Sequence, residues 1–332
     1  MKALQAIAYI KGFAKRFPFI VLIVFHPLLL CAAGPWVYVT NNRSDSLTII
    51  NTVTDEVINT IPVGKEPHEV AITPDGKRIL VCNAQDDTIS VIDANIEVAT
   101  ITTERFPHGV AITPNGERAY VVNFLADSIT VIDVKNAQVV ETIRDVHSNP
   151  RNISITPNGR LAYLTTMGNG TVTVLDLQSH KIAAQIPVPE MGEGLGISPD
   201  SQIVYIASRG GNSVYILDVN SNKLKGAVKV GTAPIRVSFS PDGKLALVPN
   251  LGTWDVTVID VSEKRVIGSV EVGASPVGVV ATPDGKKAYV AVYGENVVAV
   301  IDLKSLKVIK RIPTGLAPDG IAIAINPRGL SL

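Results

Sequence analysis

The hydrophobic pattern of this 332-residue chain is a long series of short runs rich in Val, Ile, Thr and Tyr, separated by Gly, Pro, Asn or Asp. One unit of the series contains four such runs, each of four to six residues, at 69–72, 78–83, 88–93 and 98–103. Short runs of this composition bounded by turn residues predict β-strands. No part of the series has a sustained helical period, so the pattern predicts an all-β protein.

The four-run unit recurs, and a turn proline marks its period. These prolines lie 40 to 44 residues apart, at Pro74, Pro114, Pro157, Pro199, Pro241, Pro283 and Pro327. Such a period built from short strands is typical of a four-stranded β-propeller blade. Most copies continue as Pro-Asp-Gly or Pro-Asn-Gly, which predicts a hairpin because proline presets φ and glycine accepts positive φ.

The two ends of the chain complete one unit between them. Residues 37–63 contain the second, third and fourth strands of a unit without a first, and residues 320–329 contain a first strand and its turn. The sequence therefore predicts a seven-bladed β-propeller of four-stranded antiparallel blades, whose ring is closed by N- and C-terminal strands that share one blade. Such closure hides the sheet edges that an open array would expose.

An acidic residue ends the third strand of nearly every unit. A short acceptor side chain at this place predicts a cap on the amides of the turn to the fourth strand. The row consists of Asn51, Asp93, Asp133, Asp176, Asp218, Asp260 and Asp302.

The repeats also carry a family resemblance. The segment YVTNN from Tyr38, followed by repeats such as PHGVAITPNGERAYVVNFLADSITVID at 107–133, resembles the YVTN family of seven-bladed β-propeller repeat proteins. The resemblance runs from about residue 36 to the end of the chain and implies the propeller fold and a place in the cell envelope. Its motifs are turn and strand residues, so they imply little about chemistry.

The first 33 residues differ from the repeats. Four basic residues, Lys2, Lys11, Lys15 and Arg16, precede an apolar run at 17–34 that ends in small residues. This order predicts a signal peptide at 1–33, cleaved after Ala33, and a single propeller domain at 34–332 in the periplasm, the cell envelope or the extracellular space. An uncleaved anchor, which would be the protein's one membrane contact, and a lipoprotein beginning at Cys31 are the alternatives.

Charge and cysteine content narrow the partners of the mature domain. Basic and acidic residues balance at 30 each in the whole chain, so removal of the basic N-terminal segment leaves a mildly acidic domain. This balance disfavours a nucleic-acid partner, which requires a basic face. Cys82 would be the remaining cysteine, so we expect no intramolecular disulfide.

Motifs that carry chemistry are missing from the sequence. It has no haem-attachment pattern, no phosphate-binding glycine loop and no Gly-x-Ser-x-Gly elbow. His68 and Glu69 begin a zinc-protease-like pattern, but Ile72 stands where the second histidine is needed. We therefore assign no catalytic residue and no cofactor, and metal binding stays open.

The positions that do not repeat indicate a candidate site. The start of each first strand opens onto one mouth of the central channel, so residues at this place should ring a single opening. Convergent polar groups in a concavity predict a ligand site, whereas a solvated rim without function is equally consistent with the pattern. The candidate ligand-binding residues are His68, Glu69, His108, Arg151, Asn152, Glu193, Arg236 and Asp319. Two histidines among them would make binding sensitive to pH near neutrality.

Three functional classes follow. The first is a non-enzymatic envelope propeller that binds a protein, polymer or small ligand, and the lack of a catalytic constellation favours it. The second is a lactone hydrolase, because similar seven-bladed propellers include lactonases with His, Arg and Glu groups near the channel. The third is an accessory to redox metabolism, because the family resembles the haem-binding propeller of some nitrite reductases.

Overall fold

The computed structural model describes residues 34–144, 146 and 148–325, which form a ring of seven four-stranded antiparallel sheets. The predicted signal peptide and the end of the last turn lie outside these residues. We number the blades by their strands: blade 1 is β4–β7, blade 2 is β8–β11, blade 3 is β12–β15, blade 4 is β16–β19, blade 5 is β20–β23, blade 6 is β24–β27, and blade 7 is β28 with β1–β3. The predicted fold, including the blade shared by both ends of the chain, is confirmed.

The 28 strands have the following bounds, in chain order. They are β1 (Trp36–Asn41), β2 (Ser46–Asn51), β3 (Glu56–Pro62), β4 (Pro67–Ile72), β5 (Arg78–Asn83), β6 (Thr88–Asp93), β7 (Ile96–Thr102), β8 (Pro107–Ile112), β9 (Arg118–Asn123), β10 (Ser128–Asp133), β11 (Gln138–Ile143), β12 (Pro150–Ile155), β13 (Leu161–Thr166), β14 (Thr171–Asp176), β15 (Lys181–Pro187), β16 (Gly192–Ile197), β17 (Ile203–Ser208), β18 (Ser213–Asp218), β19 (Lys223–Lys229), β20 (Ser238–Phe239), β21 (Leu245–Asn250), β22 (Asp255–Asp260), β23 (Arg265–Glu271), β24 (Pro276–Ala281), β25 (Lys287–Val292), β26 (Val297–Asp302), β27 (Lys307–Pro313) and β28 (Pro318–Ala324).

The first strand of each blade is the innermost. Each of these strands contacts the first strands of both neighbouring blades, and β28 contacts both β24 and β4, so the ring is closed. Hydrophobic clusters fill the spaces between adjacent blades; one joins Leu80 and Val91 of blade 1 to Val110 and Val121 of blade 2. The core is therefore distributed around the ring, with the channel at its centre.

Turn chemistry follows the sequence prediction. The glycine of the Pro-Asp-Gly or Pro-Asn-Gly turn has positive φ in five copies, for example 72° at Gly76, and Ser201 has a φ of 61° in the fourth copy. The residues at the ends of the third strands cap turn amides, as when the Asn136 N–H donates to Asp133 at 2.9 Å. Asp93 instead pairs with the Arg78 guanidinium across the hairpin, and Asp133 makes the same pairing with Arg118 in addition to its cap.

Blade 5 departs from the pattern at its inner strand. β20 has two residues where the other inner strands have six or seven. Pro249 of β21 accepts a hydrogen bond from the Ile235 N–H at 3.1 Å but has no N–H to donate in return. A proline inside a strand removes a ladder hydrogen bond, so the inner strand of blade 5 is shortened.

The two faces of the ring are built from different turns. The turns between second and third strands and the connections between blades form one face, which we call the mouth face. Each connection there is hydrogen-bonded to the turn beside it; the Phe124 N–H, for example, donates to the Phe106 carbonyl at 2.9 Å. Within the described residues, no helix is long and apolar enough to span a bilayer.

Candidate functional site

All eight predicted residues lie together at the mouth. Seven of them are at the starts of inner strands, and Arg236 precedes the shortened β20. A cavity of about 20 Å³ brings most of them to one place, and it is large enough for one water molecule. Its polar lining consists of His108, Arg151, Asn152, Glu193, Arg236 and Asp319.

Glycines explain how the mouth closes. A Cβ at Gly320 would lie less than 3.0 Å from the His68 carbonyl oxygen, and one at Gly194 would lie less than 3.0 Å from that of Ile235. The backbones of adjacent inner strands can approach this closely because glycine has no side chain. The same row around the ring reads Glu69, Gly109, Asn152, Gly194, Arg236, Gly278 and Gly320.

Three larger side chains alternate with these glycines and occupy the centre. Glu69, Asn152 and Arg236 all line the central cavity, which has a volume of about 400 Å³ and otherwise aliphatic and serine walls. Their position at the starts of the inner strands places them at the mouth end of that cavity. The channel is therefore narrowed at the mouth by polar side chains from blades 1, 3 and 5.

An ion-pair network joins opposite sides of the mouth. Arg236 Nη1 lies 2.8 Å from Glu69 Oε2, and Arg236 Nη2 lies 3.2 Å from Asp319 Oδ1. The other oxygen of Asp319 accepts a hydrogen bond from His68 Nδ1 at 2.6 Å. Since these residues belong to blades 5, 1 and 7, the Arg236 guanidinium bridges the channel.

Burial and charge act against each other in this network. Burial raises the pKa of Glu69, and the Arg236 charge offsets part of that rise. Burial also opposes ionisation of Asp319, but Arg236 and the hydrogen bond from His68 hold its pKa below the usual value. For Arg236, desolvation is outweighed by Glu69 and Asp319, so its pKa is raised. The guanidinium therefore favours the ionised form of both carboxylates, although burial leaves the pKa of Glu69 above its usual value.

A second ion pair lies beside the first. Arg151 Nε is 2.9 Å from Glu193 Oε1, and Arg209 Nη1 is 3.9 Å from Glu193 Oε2. Glu193 is 1% exposed, and neither of its carboxylate oxygens has a hydrogen bond of good geometry. Arg151 is close enough for an electrostatic contact with Glu193. Its N–H is not aligned well enough to form a hydrogen bond with the carboxylate.

Aromatic rings cover the histidine side of the mouth. The rings of His68 and His108 stack with centroids 4.4 Å apart, and Phe106 and Phe124 pack around them at 5.9 to 6.4 Å. His108 Nδ1 donates to the Arg151 carbonyl at 3.0 Å. The two phenylalanines were missed by sequence reasoning, although Phe106 stands out as an aromatic residue just before the first strand.

The structure corrects one expectation for His108. The sequence placed both histidines at a solvated opening, where they would titrate near neutrality. His108 is 4% exposed, and burial together with the charges of His68, Arg151 and Arg236 lowers its pKa well below the usual value. His108 is therefore neutral at pH 7 and is part of the packing beneath His68.

The arrangement is suited to binding by polar contact more than to nucleophilic chemistry. The arginines and carboxylates neutralise one another. The His68 ring is held by a carboxylate, and no hydroxyl or thiol of the described residues is hydrogen-bonded to it. Among the described residues, no group of three or more His, Cys, Asp or Glu side chains is placed to hold a metal ion. Cys82 is buried, which raises the pKa of its thiol well above the ordinary value.

Comparison with known proteins places the chain among other propellers. Its fold is similar to a chain of hydrazine synthase from Kuenenia stuttgartiensis, with a TM-score of 0.74 and 23% identity over 80% of this chain and 91% of the other. A functionally unknown protein from Desulfotomaculum acetoxidans has a TM-score of 0.79 and 20% identity, with 88% and 99% of the two chains covered. Dihydro-heme d1 dehydrogenase NirN in complex with DHE has a TM-score of 0.67 and 16% identity, with 86% and 74% covered.

These identities show a shared fold alone. No curated protein matches the chain. Residues 11–101 and 86–328 match the YNCE-like beta-propeller family, which accounts for nearly the whole sequence. The YVTN-type resemblance of the repeats agrees with this match, and the chain belongs to the YNCE-like beta-propeller family.

Proposed function

We propose that this protein is an exported, non-enzymatic binding propeller whose mouth face is the binding surface. The observation that carries the proposal is the combination of a self-neutralised ion-pair network with exposed apolar side chains around it. Within the described residues, four large apolar side chains of the mouth face are 45 to 52% exposed: Leu125, Met191, Trp254 and Leu316.

The apolar side chains stand on rigid supports. Leu125 and Trp254 lie in turns between second and third strands, while Met191 and Leu316 lie in connections between blades. The Leu125 N–H donates to the Arg105 carbonyl, and the Met191 carbonyl accepts from the Arg209 N–H, so the backbone at both places is fixed. Exposed apolar groups held on a rigid scaffold are typical of interaction surfaces.

The paired state of the mouth charges favours binding over catalysis. A lactone hydrolase needs a group that activates water, and the carboxylates here are engaged by Arg151 and Arg236. Hydrazine synthase and NirN are similar to this chain in fold, and a shared fold alone does not imply that this chain has their activities. Release of acid from a panel of lactones would favour the lactone hydrolase. A haem absorption band in protein purified from the native host would favour the redox accessory.

Export rests on the N-terminal sequence. A basic start followed by an apolar run and small residues supports a cleaved signal, and the mature chain would begin at Gly34. Mass spectrometry of protein from the envelope fraction tests this, since an intact N-terminus or a lipid-modified Cys31 would each contradict cleavage after Ala33.

The binding proposal is tested with matched surface variants. The mouth variant carries L125Q, M191Q and L316Q, and the control carries I96Q, V98Q and I309Q on outer strands, where the side chains are 53 to 66% exposed. Each tagged protein is used to capture partners from native envelope extract, and each is screened by thermal shift against small ligands. We expect capture or a shift with the wild type and the control that the mouth variant loses. Equal binding by all three would show that the mouth face is not the surface, and no binding by the wild type would refute the proposal.

A further inference from the structure

One residue of the mouth face departs from the residue types that the other six blades use at the same turn position. The last residue of the turn between the second and third strands has positive φ in all seven blades, from 49° to 64°. This left-handed conformation suits Gly, Asn and Asp, and is an outlier for a bulky residue. The row consists of Asp45, Asp87, Asp127, Gly170, Asn212, Trp254 and Asn296.

The side chains of this row have a structural task. In five blades the carboxylate or amide oxygen accepts a hydrogen bond from an amide of the next connection, at 2.7 to 3.1 Å. Asp87, for example, accepts from the Phe106 N–H, and Asn296 accepts from the Ala317 N–H. The equivalent amide for blade 5 belongs to Ser275, and an indole has no oxygen to offer it. Trp254 therefore combines a strained backbone with the loss of a cap.

Burial does little to stabilise the Trp254 side chain. Trp254 is 52% exposed, whereas Trp36, the other tryptophan, is 4% exposed in the core. A residue that strains the backbone and forgoes a hydrogen bond without being buried indicates a role outside folding. A large, rigid and amphipathic ring at an exposed turn is suited to ligand contact.

The residues that flank Trp254 are polar and rich in hydroxyl groups. Asp255 accepts hydrogen bonds from Thr253 Oγ1 at 2.7 Å, from Asn250 Nδ2 at 2.9 Å and from the Ser269 hydroxyl. The Thr253 hydroxyl also accepts from the Thr232 N–H at 3.2 Å.

The charged side chains next to Trp254 are acidic. Glu271 lies opposite Asp255 in the strand register, and residues 231–233, 250–257 and 269–275 contain no lysine or arginine. Within the described residues neither carboxylate forms an ion pair, and two such carboxylates disfavour phosphates, acidic polymers and nucleic acid. Hydroxyl and carboxylate groups beside an open aromatic face match a ligand that has an apolar face and many hydroxyls.

We propose that Trp254 is the stacking platform of a binding site for an uncharged saccharide, with Thr232, Thr253 and Asp255 as its polar border. A pyranose ring would place its C–H face on the indole and direct its hydroxyls toward these side chains. The site rests on the proposed binding role of the mouth face and names its ligand class. It is separate from the ion-pair network at the channel axis.

The test uses a variant that should fold better than the wild type. Trp254→Asn restores both a residue suited to positive φ and the cap on the Ser275 amide. We expect it to raise the midpoint of thermal unfolding by about 1–3 °C. The probes are maltohexaose, cellohexaose and chitohexaose, which are neutral and differ in linkage and N-acetylation. Their binding is measured by protection of tryptophan fluorescence from acrylamide quenching, to which buried Trp36 contributes little.

We expect at least one hexasaccharide to protect the wild type. Both variants lack the reporting indole, so their affinities are measured by calorimetry. By that measurement Trp254→Asn should bind the sugar at least about tenfold more weakly than the wild type, and Trp254→Phe should retain much of the affinity. No protection by any of the three sugars, or equal affinity of the W254N variant, would overturn the inference. Capture of a protein partner through Leu125, Met191 and Leu316 would then leave the binding role of the mouth face standing, so the two failures are distinguishable.

Discussion

Removal of the Arg236 charge is the most direct test of the network across the channel. Arg236→Met keeps the length of the side chain and removes the partner of two carboxylates. Glu69 and Asp319 are 13% and 7% exposed, so neither can regain full hydration. Loss of one partner of a buried ion pair costs about 3–5 kcal/mol in the free energy of unfolding, because it leaves a charge buried and unpaired. We expect a loss in this range at pH 7.

Two further variants isolate the cause. Arg311→Met removes a surface pair with Glu295, whose side chains are 43% and 40% exposed, and should cost at most about 1 kcal/mol. The double variant R236M/E69M removes one stranded carboxylate and should recover more than half of the loss. The measurement is urea-induced unfolding followed by far-UV circular dichroism.

The pH dependence of R236M has a definite sign. Burial raises the pKa of Glu69, and Arg236 is the charge that opposes this rise. Without Arg236 the pKa of Glu69 in the folded state rises further above its unfolded value, so acidification stabilises the R236M variant more than it stabilises the wild type. The difference between R236M and the wild type should therefore shrink from pH 7 to pH 5. A loss below about 1 kcal/mol at pH 7, or a deficit that grows on acidification, would refute the reasoning.

Three further predictions concern the inner strands. Gly320→Ala should lower the unfolding midpoint because its Cβ would meet the His68 carbonyl, whereas Asn152→Ala in the same row should be tolerated; equal midpoints would contradict the close-approach argument. His108 has a lowered pKa, so the wild type should lose up to about 1.4 kcal/mol per pH unit below about pH 6.5 as the unfolded state takes up a proton, and His108→Phe should flatten this slope in urea titrations. Pro249→Val restores a strand N–H and should slow amide exchange in the inner strand of blade 5; unchanged exchange there would show that the proline is not the cause of its shortening.

The repeat pattern was sufficient to predict the fold. Strand bounds were off by two residues or fewer, as where 69–72 became Pro67–Ile72 and 98–103 became Ile96–Thr102. Each strand of a blade is specified by its own short-range pattern and turn chemistry, and the ring follows from counting the units. The exception, β20, was signalled by Pro249 inside an otherwise regular second strand.

The mouth could be predicted as a position but not as a set of contacts. Aligned first strands place the eight residues at one opening, yet Glu69 meets Arg236 across 167 positions and His68 meets Asp319 across 251. Which charges pair depends on how far each side chain reaches across the channel, and strand alignment does not contain that distance. Burial of His108 escaped prediction for the same reason, because it depends on the ring of His68 above it.

Departures from the repeat are informative because each one can be compared with the equivalent position in the other six blades. Blade 5 combines three of them: Arg236 spans the channel, Pro249 shortens the inner strand that follows Arg236, and Trp254 occupies a place suited to Asn or Asp. The last two each weaken this blade relative to its neighbours, by a missing ladder hydrogen bond and by a strained backbone without a cap. A propeller that needed blade 5 for closure alone would be more stable with the residues of its other blades. The proposed ligand site on the mouth face beside blade 5 would explain why this protein keeps two residues that lower the stability of the blade.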